Sequence, residues 1–351
     1  MNASEYKDNT SAQGQENCNI SHSVVDVVLS SLYFLIFVPA LVLNVTVMCV
    51  LLRLKTKSTF MVYLKNLVAV DLLMTLTVPV KAASELPGAA LGLRVFACRF
   101  ASVIFYTCMN ISIILMGIIS LDRFFKIVRP CGSMPGQSLL FGRAVSVATW
   151  VVLLGGTTLP TMVLTSRAPL DNSPELCMEM KSQAGKDFHK ALVWVFNLIF
   201  WIILVLNGFF YTCIARTVVQ SHRNSRSTNT KGKHKTQAKV FIVLAVFLVC
   251  FAPYHIIRIP YTQLQVKNQH SCTWEILKVA KDFSLWLSTT NICLDPLIYF
   301  LLCKSFRKKL SDLGILKRFS SSGSGTDEDL TNEHFTSWNH GGRIQGHFTK
   351  S

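Results

Sequence analysis

The chain has 351 residues, of which 50% are hydrophobic and only 15% are charged. Soluble domains usually carry about 25% charged residues, so this composition excludes an ordinary soluble domain. The formal net charge is +16, from 35 basic and 19 acidic residues. The mean hydropathy of +0.39 is too high for a soluble nucleic-acid-binding protein, and the aliphatic and aromatic content excludes disorder over most of the chain. What remains is a membrane protein with several spans and basic loops.

Seven apolar segments are long enough to cross a membrane, since a spanning helix needs about 20 mainly apolar residues. They are Val27–Leu52, Phe60–Ala82, Cys98–Phe125, Arg143–Leu164, Ala191–Ala215, Val240–Tyr261 and Ile276–Cys303. The seventh carries four charges, but its stretches Phe283–Leu294 and Pro296–Leu302 carry none. The sequence therefore predicts an all-α membrane protein, with a bundle of seven transmembrane helices over residues 27–303.

The distribution of charge predicts the orientation of the bundle. Arg53, Lys55 and Lys57 follow the first segment, and the stretches after the fifth and seventh segments are also basic, whereas residues 1–26 contain four acids. The positive-inside rule places the basic loops in the cytoplasm and residues 1–26 outside, as an extracellular tail. An odd number of spans then places the C-terminus in the cytoplasm. We expect a multi-pass protein of the plasma membrane.

Two further features agree with this orientation. Asn2, Asn9 and Asn19 each begin an Asn-X-Ser/Thr sequence in the outer tail and are predicted glycosylation sites. Four of the 11 cysteines fall on the outer side, namely Cys18, Cys98, Cys177 and Cys272. In an oxidising compartment four cysteines suggest two disulfides, and the sequence leaves all three pairings open.

The segment after the seventh span has two parts. Residues 304–313 combine basic residues with Phe306 and Leu310, which predicts a short amphipathic helix lying on membrane lipids. Residues 314–351 are polar and become rich in Ser, Thr and Gly, which predicts a disordered cytoplasmic tail. Its hydroxyl groups are candidate phosphorylation sites, so kinases and arrestin are candidate partners of the tail.

Short motifs in several segments match one receptor family. Asp122-Arg123-Phe124 resembles the Asp-Arg-Tyr motif of helix three in rhodopsin-like (class A) G-protein-coupled receptors. Asp295-Pro-Leu-Ile-Tyr299 resembles the Asn/Asp-Pro-x-x-Tyr motif of helix seven, and Cys250-Phe-Ala-Pro253 resembles Cys-Trp-x-Pro of helix six. Single landmark residues of the other helices are also matched, by Asn44, Asp71, Trp150 and Tyr211. Their order, one motif in each segment, makes the resemblance specific.

Longer stretches narrow the resemblance. Phe251–Thr262, Cys98–Tyr106 and the loop from Cys177 to His189 are similar to the purinergic nucleotide receptors, in their ADP-type, Gi-coupled branch near the UDP-sugar receptor. The resemblance implies a receptor for an extracellular, ADP-like nucleotide that acts through Gi-type heterotrimeric G proteins and lowers cyclic AMP. The alternative is a receptor for a nucleotide sugar or another anionic ligand such as a lysophospholipid. The resemblance implies that the protein is not an enzyme and needs no cofactor.

The residues of the outer half point by themselves to an anionic ligand. His255, Arg258 and Tyr261 recur every three positions and share one face of a helix. Charged groups at membrane depth are costly and usually functional, and arginine binds phosphate in a bidentate geometry. The candidate ligand-binding residues are Tyr106, Lys181, His189, His255, Arg258, Tyr261 and Lys281. The alternative is that Arg258, Lys278 and Lys281 extend to the lipid headgroups.

Two carboxyl groups, Asp71 and Asp295, are predicted at membrane depth. Two close carboxylates cannot both ionise without a counter-ion or a proton. The resemblance groups them with Ser112 and Asn291 as a site for an allosteric sodium ion. The alternative is a pair of protonated, hydrogen-bonded aspartic acids.

Arg123 lies at the inner end of the third segment and always keeps its proton. It needs a partner there, and the adjacent Asp122 is the expected one. With Tyr211 and Tyr299, the resemblance makes this pair the G-protein coupling switch, and release of the pair would free Arg123 to meet a cytoplasmic protein. The alternative is simple anchoring of Arg123 at the interface.

Other functional classes have different signatures. A transporter is expected to show paired repeats and discontinuous helices, and a membrane enzyme is expected to show a nucleophile, metal-ligand or phosphate-loop motif. The sequence contains none of these motifs, and nothing in it indicates a nucleic acid partner.

Overall fold

The computed structural model describes residues 21–54, 58–128, 138–167, 176–224, 230–266 and 271–302. Several predictions lie outside these described residues and are not tested by the fold: the glycosylation sites Asn2, Asn9 and Asn19, the cysteine Cys18, the amphipathic helix at 304–313 and the tail at 314–351.

Seven long helices account for most of the described residues. They are α1 (His22–Arg53), α2 (Thr59–Glu85), α3 (Leu91–Val128), α4 (Leu139–Leu164), α5 (Gln183–Asn224), α6 (Thr230–Val266) and α7, which has two segments, Cys272–Thr289 and Asn291–Leu302. A single helical turn at Leu176–Glu179 precedes α5. The described part of the chain contains no strand, and the predicted all-α seven-helix bundle is confirmed.

The helices extend beyond the predicted apolar segments. α1 begins at His22 rather than Val27, and α7 begins at Cys272 rather than Ile276. An apolar window marks only the part of a helix at hydrocarbon depth, while backbone hydrogen bonding continues into the polar flanks. Serine caps define three of the starts, because a side-chain oxygen accepts from a backbone N–H of the first turn in α2, α4 and α7; these caps are Ser58, Ser138 and Ser271.

α1 to α6 are long and apolar enough to cross a membrane. The first segment of α7 is more polar, with charges at Glu275, Lys278, Lys281 and Asp282, and a turn at Thr290 separates it from the second. α7 nevertheless packs against both α1 and α6 and so completes the bundle. Its charged residues are compatible with a span because several of them line an internal cavity.

Outward-facing side chains of the bundle are apolar, as in Leu35, Leu140 and Val205. A soluble protein would expose polar residues there, so this surface is suited to lipid. Polar groups inside the bundle tie helices together. Asn44 Nδ2 donates to the Ile292 carbonyl at 2.7 Å and links α1 to α7, which matches the landmark role expected of Asn44.

A disulfide joins Cys98 of α3 to Cys177, with their Cα atoms 5.1 Å apart. It ties the turn before α5 to α3, and we name this part of the bundle the disulfide end. Cys98 lies in a π-helical turn, Ala97–Ala101, within α3. Cys272 is also disulfide-bonded, and Cys18 lies outside the described residues. Of the two disulfides expected from the four outer cysteines, the bond between Cys98 and Cys177 is therefore confirmed, while the role of Cys18 stays a prediction.

Candidate functional site

A cavity of about 670 Å³ lies at the disulfide end, and residues from all seven helices line it. Every ligand-binding residue predicted from the sequence is part of its wall, namely Tyr106, Lys181, His189, His255, Arg258, Tyr261 and Lys281. Arg258 is only 8% exposed. The structure therefore places Arg258 inside the bundle, instead of extending it to the headgroup region.

Arg258 of α6 is surrounded by aromatic rings. Its Cζ lies 5.7 Å from the ring centroid of Tyr106 and 5.9 Å from those of Tyr254 and Tyr261. Its Nη2 donates to His189 Nε2 at 3.1 Å, and because a guanidinium only donates, the His189 ring carries its proton on Nδ1. Among the described residues no carboxylate lies within salt-bridge distance of Arg258. The surrounding ring faces stabilise the cation but leave its charge without an anion.

Two lysines line the same cavity. Lys281 of α7 lies with its Nζ 2.6 Å from Asp282 Oδ1 and 4.6 Å from the Tyr261 ring centroid. Lys181 precedes α5, is 6% exposed and donates from Nζ to the Cys177 carbonyl at 3.2 Å. Burial lowers the pKa of Lys181 to about 8, with a smaller contribution from the positive charge of Arg258. The disulfide thus positions Lys181, and Lys181 still carries its charge at neutral pH.

His255 is held by two residues of α5. Its ring stacks on Phe200 with the centroids 4.0 Å apart. The Asn197 amide donates to His255 Nδ1 at 3.2 Å when its nitrogen faces the ring, an orientation that also lets its oxygen accept from Trp201 Nε1. The histidine proton then sits on Nε2, for which no partner lies within the described structure. His255 therefore has one N–H donor to offer to a ligand.

A second charged group lines the cavity on the side of α1 and α2. Lys81 pairs with Glu85 one turn further along α2, and its Nζ lies 5.2 Å from the Tyr33 ring centroid. Asp26 of α1 lines the same region. These residues were not predicted from the sequence, although Lys81 lies within the predicted second segment and the rule that intramembrane charges are functional could have found it.

The four predicted sodium-site residues are all buried: Asp71, Ser112, Asn291 and Asp295. Asn291 Nδ2 donates to Asp295 Oδ2 at 2.9 Å, and the Asp71 and Asp295 carboxyl groups are close enough to interact. Within the described structure, both Asp71 oxygens, Ser112 Oγ and Asn291 Oδ1 have no hydrogen-bond partner. A set of unsatisfied oxygen atoms around two carboxyl groups suits a hard cation.

The predicted coupling residues lie far along the helices from the cavity. Asp122 is held by Lys126, whose Nζ lies 2.8 Å from Asp122 Oδ2, and by the Thr59 hydroxyl of α2. The sequence had indicated Arg123 as the partner of Asp122, but the Arg123 guanidinium lies 3.5 Å over the Phe60 ring centroid. Neighbouring residues on a helix point about 100° apart, whereas residues four apart share a face, which explains why Asp122 pairs with Lys126.

Tyr211 and Phe124 form the other side of this coupling region. Ser120 Oγ of α3 and Tyr211 Oη of α5 are 3.1 Å apart. The Phe124 ring packs on Phe210 with their centroids 5.0 Å apart. Tyr299 belongs to the second segment of α7, and its side chain lies outside the described structure. α3 therefore contacts α2 through charged groups on one face and α5 through aromatic groups on another.

Seven helices with a polar cavity at one end and a charged helix junction far from it define the architecture of a seven-helix membrane protein. The family model of the 7 transmembrane receptor (rhodopsin family) matches residues 43–299. The chain is 40% identical to purinoceptor 13 of Homo sapiens over 296 residues, which cover 84% of this chain and 83% of that protein. It is 39% identical to purinoceptor 14 of Bos taurus over 295 residues, covering 84% and 87%. It is also 35% identical to G-protein coupled receptor 87 of Mus musculus over 308 residues, covering 86% and 84%.

The chain therefore belongs to the rhodopsin family of seven-transmembrane receptors, within the group of the purinoceptors. This membership confirms the predicted receptor class and the prediction that the chain is not an enzyme. It also establishes a multi-pass protein of the plasma membrane, whose partners are an extracellular ligand and a heterotrimeric G protein.

Proposed function

We propose that this receptor binds an extracellular nucleotide of the ADP type and signals through Gi-type G proteins to lower cyclic AMP. The observation that carries the proposal is the Arg258 guanidinium, buried among three tyrosine rings with no carboxylate of the described structure in salt-bridge range. Such a site favours an anion, and phosphate suits the fork of an arginine. The purinoceptor relatives give independent support.

In this proposal the phosphates lie against Arg258, Lys281 and Lys181, and His255 donates one hydrogen bond from Nε2. The base stacks on Tyr106, whose ring faces that of Tyr254 at 6.5 Å with an interplanar angle of 23°. The volume of about 670 Å³ falls within the range of about 300–1,000 Å³ that small-molecule pockets occupy.

A nucleotide sugar is the second candidate, because the opposite wall of the cavity contains carboxylates. Asp26 and Glu85 line it together with Lys81, and carboxylates accept hydrogen bonds from sugar hydroxyls. A lysophospholipid would share the phosphate contacts but would place an acyl chain beside these charged groups, which is unfavourable.

The topology in the membrane belongs to the same proposal. We assign the disulfide end to the extracellular side, since disulfides form in oxidising compartments. Residues 1–26, with the acceptor sites Asn2, Asn9 and Asn19, then form the extracellular tail. Residues 304–351 lie in the cytoplasm as a membrane-bound amphipathic helix followed by the tail, through which kinases and arrestin would act.

The coupling residues have the matching role at the other side of the membrane. Asp122, Arg123, Tyr211 and Tyr299 are proposed to form the switch that responds to the ligand and engages the G protein. Pro253 lies inside α6, where a proline favours a kink that can move the cytoplasmic half of the helix. The ligand shifts this packing equilibrium by its difference in affinity for the two states.

The experiment that tests the ligand assignment is a comparison of three agonist classes. Membranes containing the receptor and a Gi heterotrimer are assayed for guanine-nucleotide exchange with ADP, UDP-glucose and a lysophosphatidic acid. We expect ADP to be the most potent. Higher potency of UDP-glucose would favour the second candidate, and the absence of any response to either nucleotide would contradict the proposal.

Raising the pH should weaken agonist binding through Lys181. Its pKa of about 8 means that the side chain is mostly charged at pH 7 and mostly neutral at pH 9. We expect agonist affinity to fall by up to about tenfold between these values, because a charged contact with phosphate is lost. Competition binding from pH 7 to 9 measures the effect. Lys181→Arg should remove it because arginine stays protonated, and an equal pH dependence in that variant would contradict the assignment.

Sodium should lower agonist affinity through the cluster around Asp71. We propose that Asp71, Asp295, Ser112 and Asn291 hold the ion, and that the active packing of the bundle expels it. Replacing the sodium of the assay by N-methylglucamine should raise agonist affinity about fivefold or more, a typical allosteric coupling. Asp71→Asn should abolish this response. A wild-type receptor that is insensitive to sodium would favour the alternative, two protonated aspartic acids.

A further inference from the structure

Three side chains form a closed hydrogen-bonded group where α2 meets α3. The Thr59 hydroxyl donates its one proton to Asp122 Oδ1. Lys126 Nζ donates to Thr59 Oγ1 at 2.6 Å and to Asp122 Oδ2 at 2.8 Å. Both carboxylate oxygens and the hydroxyl are therefore satisfied within the group, which we name the Thr59–Asp122–Lys126 triad.

The triad is fixed by its surroundings. Thr59 is 1% exposed and Asp122 is 8% exposed, so the carboxylate needs a nearby cation. α4 packs closely over Thr59, because a methyl group at Gly142 would lie 3.2 Å from Thr59 Cγ2. The hydroxyl has little room to move, and it anchors the Asp122 carboxylate to α2.

Two cations of α3 lie within reach of Asp122, and they have different orientations. Lys126 lies one turn further along on the same face, whereas Arg123 is the next residue in sequence and points about 100° away. In the structure the Arg123 guanidinium is stacked on Phe60 of α2. If Lys126 lost its charge, the neighbouring Arg123 would be drawn towards this nearly buried carboxylate.

We propose that Lys126 is a positioning residue for G-protein activation: together with Thr59 it occupies the Asp122 carboxylate and so prevents that carboxylate from pairing with Arg123. This inference rests on the proposed coupling role of Asp122 and Arg123. In this proposal Lys126 and Arg123 compete for the Asp122 carboxylate, and the outcome sets the rate of G-protein activation. Thr59 of α2 favours Lys126, because its hydroxyl bonds to both Lys126 and Asp122.

The test is a double-mutant cycle on guanine-nucleotide exchange. Four variants, Lys126→Met, Lys126→Arg, Asp122→Asn and the double variant Asp122→Asn/Lys126→Met, are compared with the wild type at equal receptor density in membranes with a Gi heterotrimer. Exchange is measured without ligand and with saturating ADP. If ADP has no effect, that result counts against the proposed ligand, while the ligand-free series still tests Lys126.

Lys126→Met should slow exchange about tenfold, as expected when a charge-assisted hydrogen bond is removed from a competition. Lys126→Arg should retain the wild-type rate. The double variant should match Asp122→Asn alone, because without the carboxylate there is nothing for Lys126 to occupy. ADP affinity measured without G protein should not change in Lys126→Met, so the loss should appear in coupling alone.

Other results would overturn the inference. An equal loss on adding Lys126→Met to Asp122→Asn would mean that Lys126 contacts the G protein directly. An unchanged rate in Lys126→Met would reduce Lys126 to a membrane anchor. A rate in Asp122→Asn as low as that of Lys126→Met would show that pairing of the carboxylate with Arg123 is not what slows exchange. If Lys126→Met does not reach the membrane, Thr59→Val tests the same group, and it should slow exchange about tenfold, consistent with one hydrogen bond to a charged carboxylate. An unchanged rate in Thr59→Val would also contradict the proposal.

Discussion

Replacing Arg258 by alanine is expected to lower agonist potency at least about thirtyfold, since losing one partner of a desolvated charge pair costs about 2–5 kcal/mol. The side chain is buried among the rings of Tyr106, Tyr254 and Tyr261 and bonded to His189. Lys281 lies beside the same Tyr261 ring but is paired with Asp282, so it should not compensate fully for the loss of Arg258. Exchange assays and competition binding both measure the effect.

Lys190→Ala is the matched control for this variant. Lys190 is exposed on α5, next to His189 in the chain, and its removal lowers the net charge by the same amount. We expect potency to change less than about twofold, because an exposed and screened charge contributes little. Arg258→Lys should give an intermediate loss, since it keeps the charge but not the planar fork. Equal losses in Lys190→Ala and Arg258→Ala would indicate a general effect of charge and not a phosphate site.

Removing the Cys98–Cys177 disulfide is expected to have the second large effect. The bond closes a loop with a sequence separation of 79 residues, and a crosslink of this length stabilises a protein by about 4 kcal/mol in the chain-entropy model. It also holds Lys181, which donates to the Cys177 carbonyl. Cys98→Ser/Cys177→Ser should therefore lower the melting temperature of the solubilised receptor and also its affinity for agonist.

Cys49→Ser provides the control for the disulfide variant. Cys49 is a free, exposed cysteine of α1, so its replacement removes a thiol without breaking a crosslink. Its melting temperature and agonist affinity should match those of the wild type. An unchanged melting temperature in Cys98→Ser/Cys177→Ser would mean that the disulfide contributes nothing to the stability of the bundle.

The fold was predictable because each spanning helix is specified by the apolar residues of its own segment. Apolar runs of sufficient length specify spanning helices, and the runs survive even in α7, where Lys281 and Asp282 interrupt them. Those charges lower the hydropathy of the segment. They are tolerated in a spanning helix because they line a cavity and do not face lipid. The helix ends were less predictable, since α1 continues to His22 through backbone hydrogen bonds that do not require apolar residues.

The cationic wall of the cavity was predictable for a similar reason. Burying the charges of Arg258 and Lys281 at membrane depth costs free energy, which marks them as functional. The regular spacing of His255, Arg258 and Tyr261 places these three residues on one helix face. Asn197 was not predicted, because its contact with His255 joins α5 to α6. Contacts of this kind depend on how two helices are rotated against each other, which the spacing within one helix does not determine.

In the coupling region the sequence failed to predict one contact within a helix and one contact between helices. The motif at Asp122 was recognised, but its expected partner was the adjacent residue, and simple helix geometry favours Lys126 instead. The third member of the triad, Thr59, comes from another helix. Only the packed bundle brings this hydroxyl to the carboxylate, and a single sequence contains no direct signal for it.

The central claim is that buried cations of α6 and α7 bind the phosphate groups of the ligand. A ligand series on two receptors tests it most directly: the affinities of ADP, AMP and adenosine are measured on the wild type and on Arg258→Ala. We predict that removing the phosphates weakens binding to the wild type much more than to the variant, with a coupling energy of at least about 1.5 kcal/mol between the phosphates and Arg258. An equal loss on both receptors would show that Arg258 does not bind phosphate and would contradict the account.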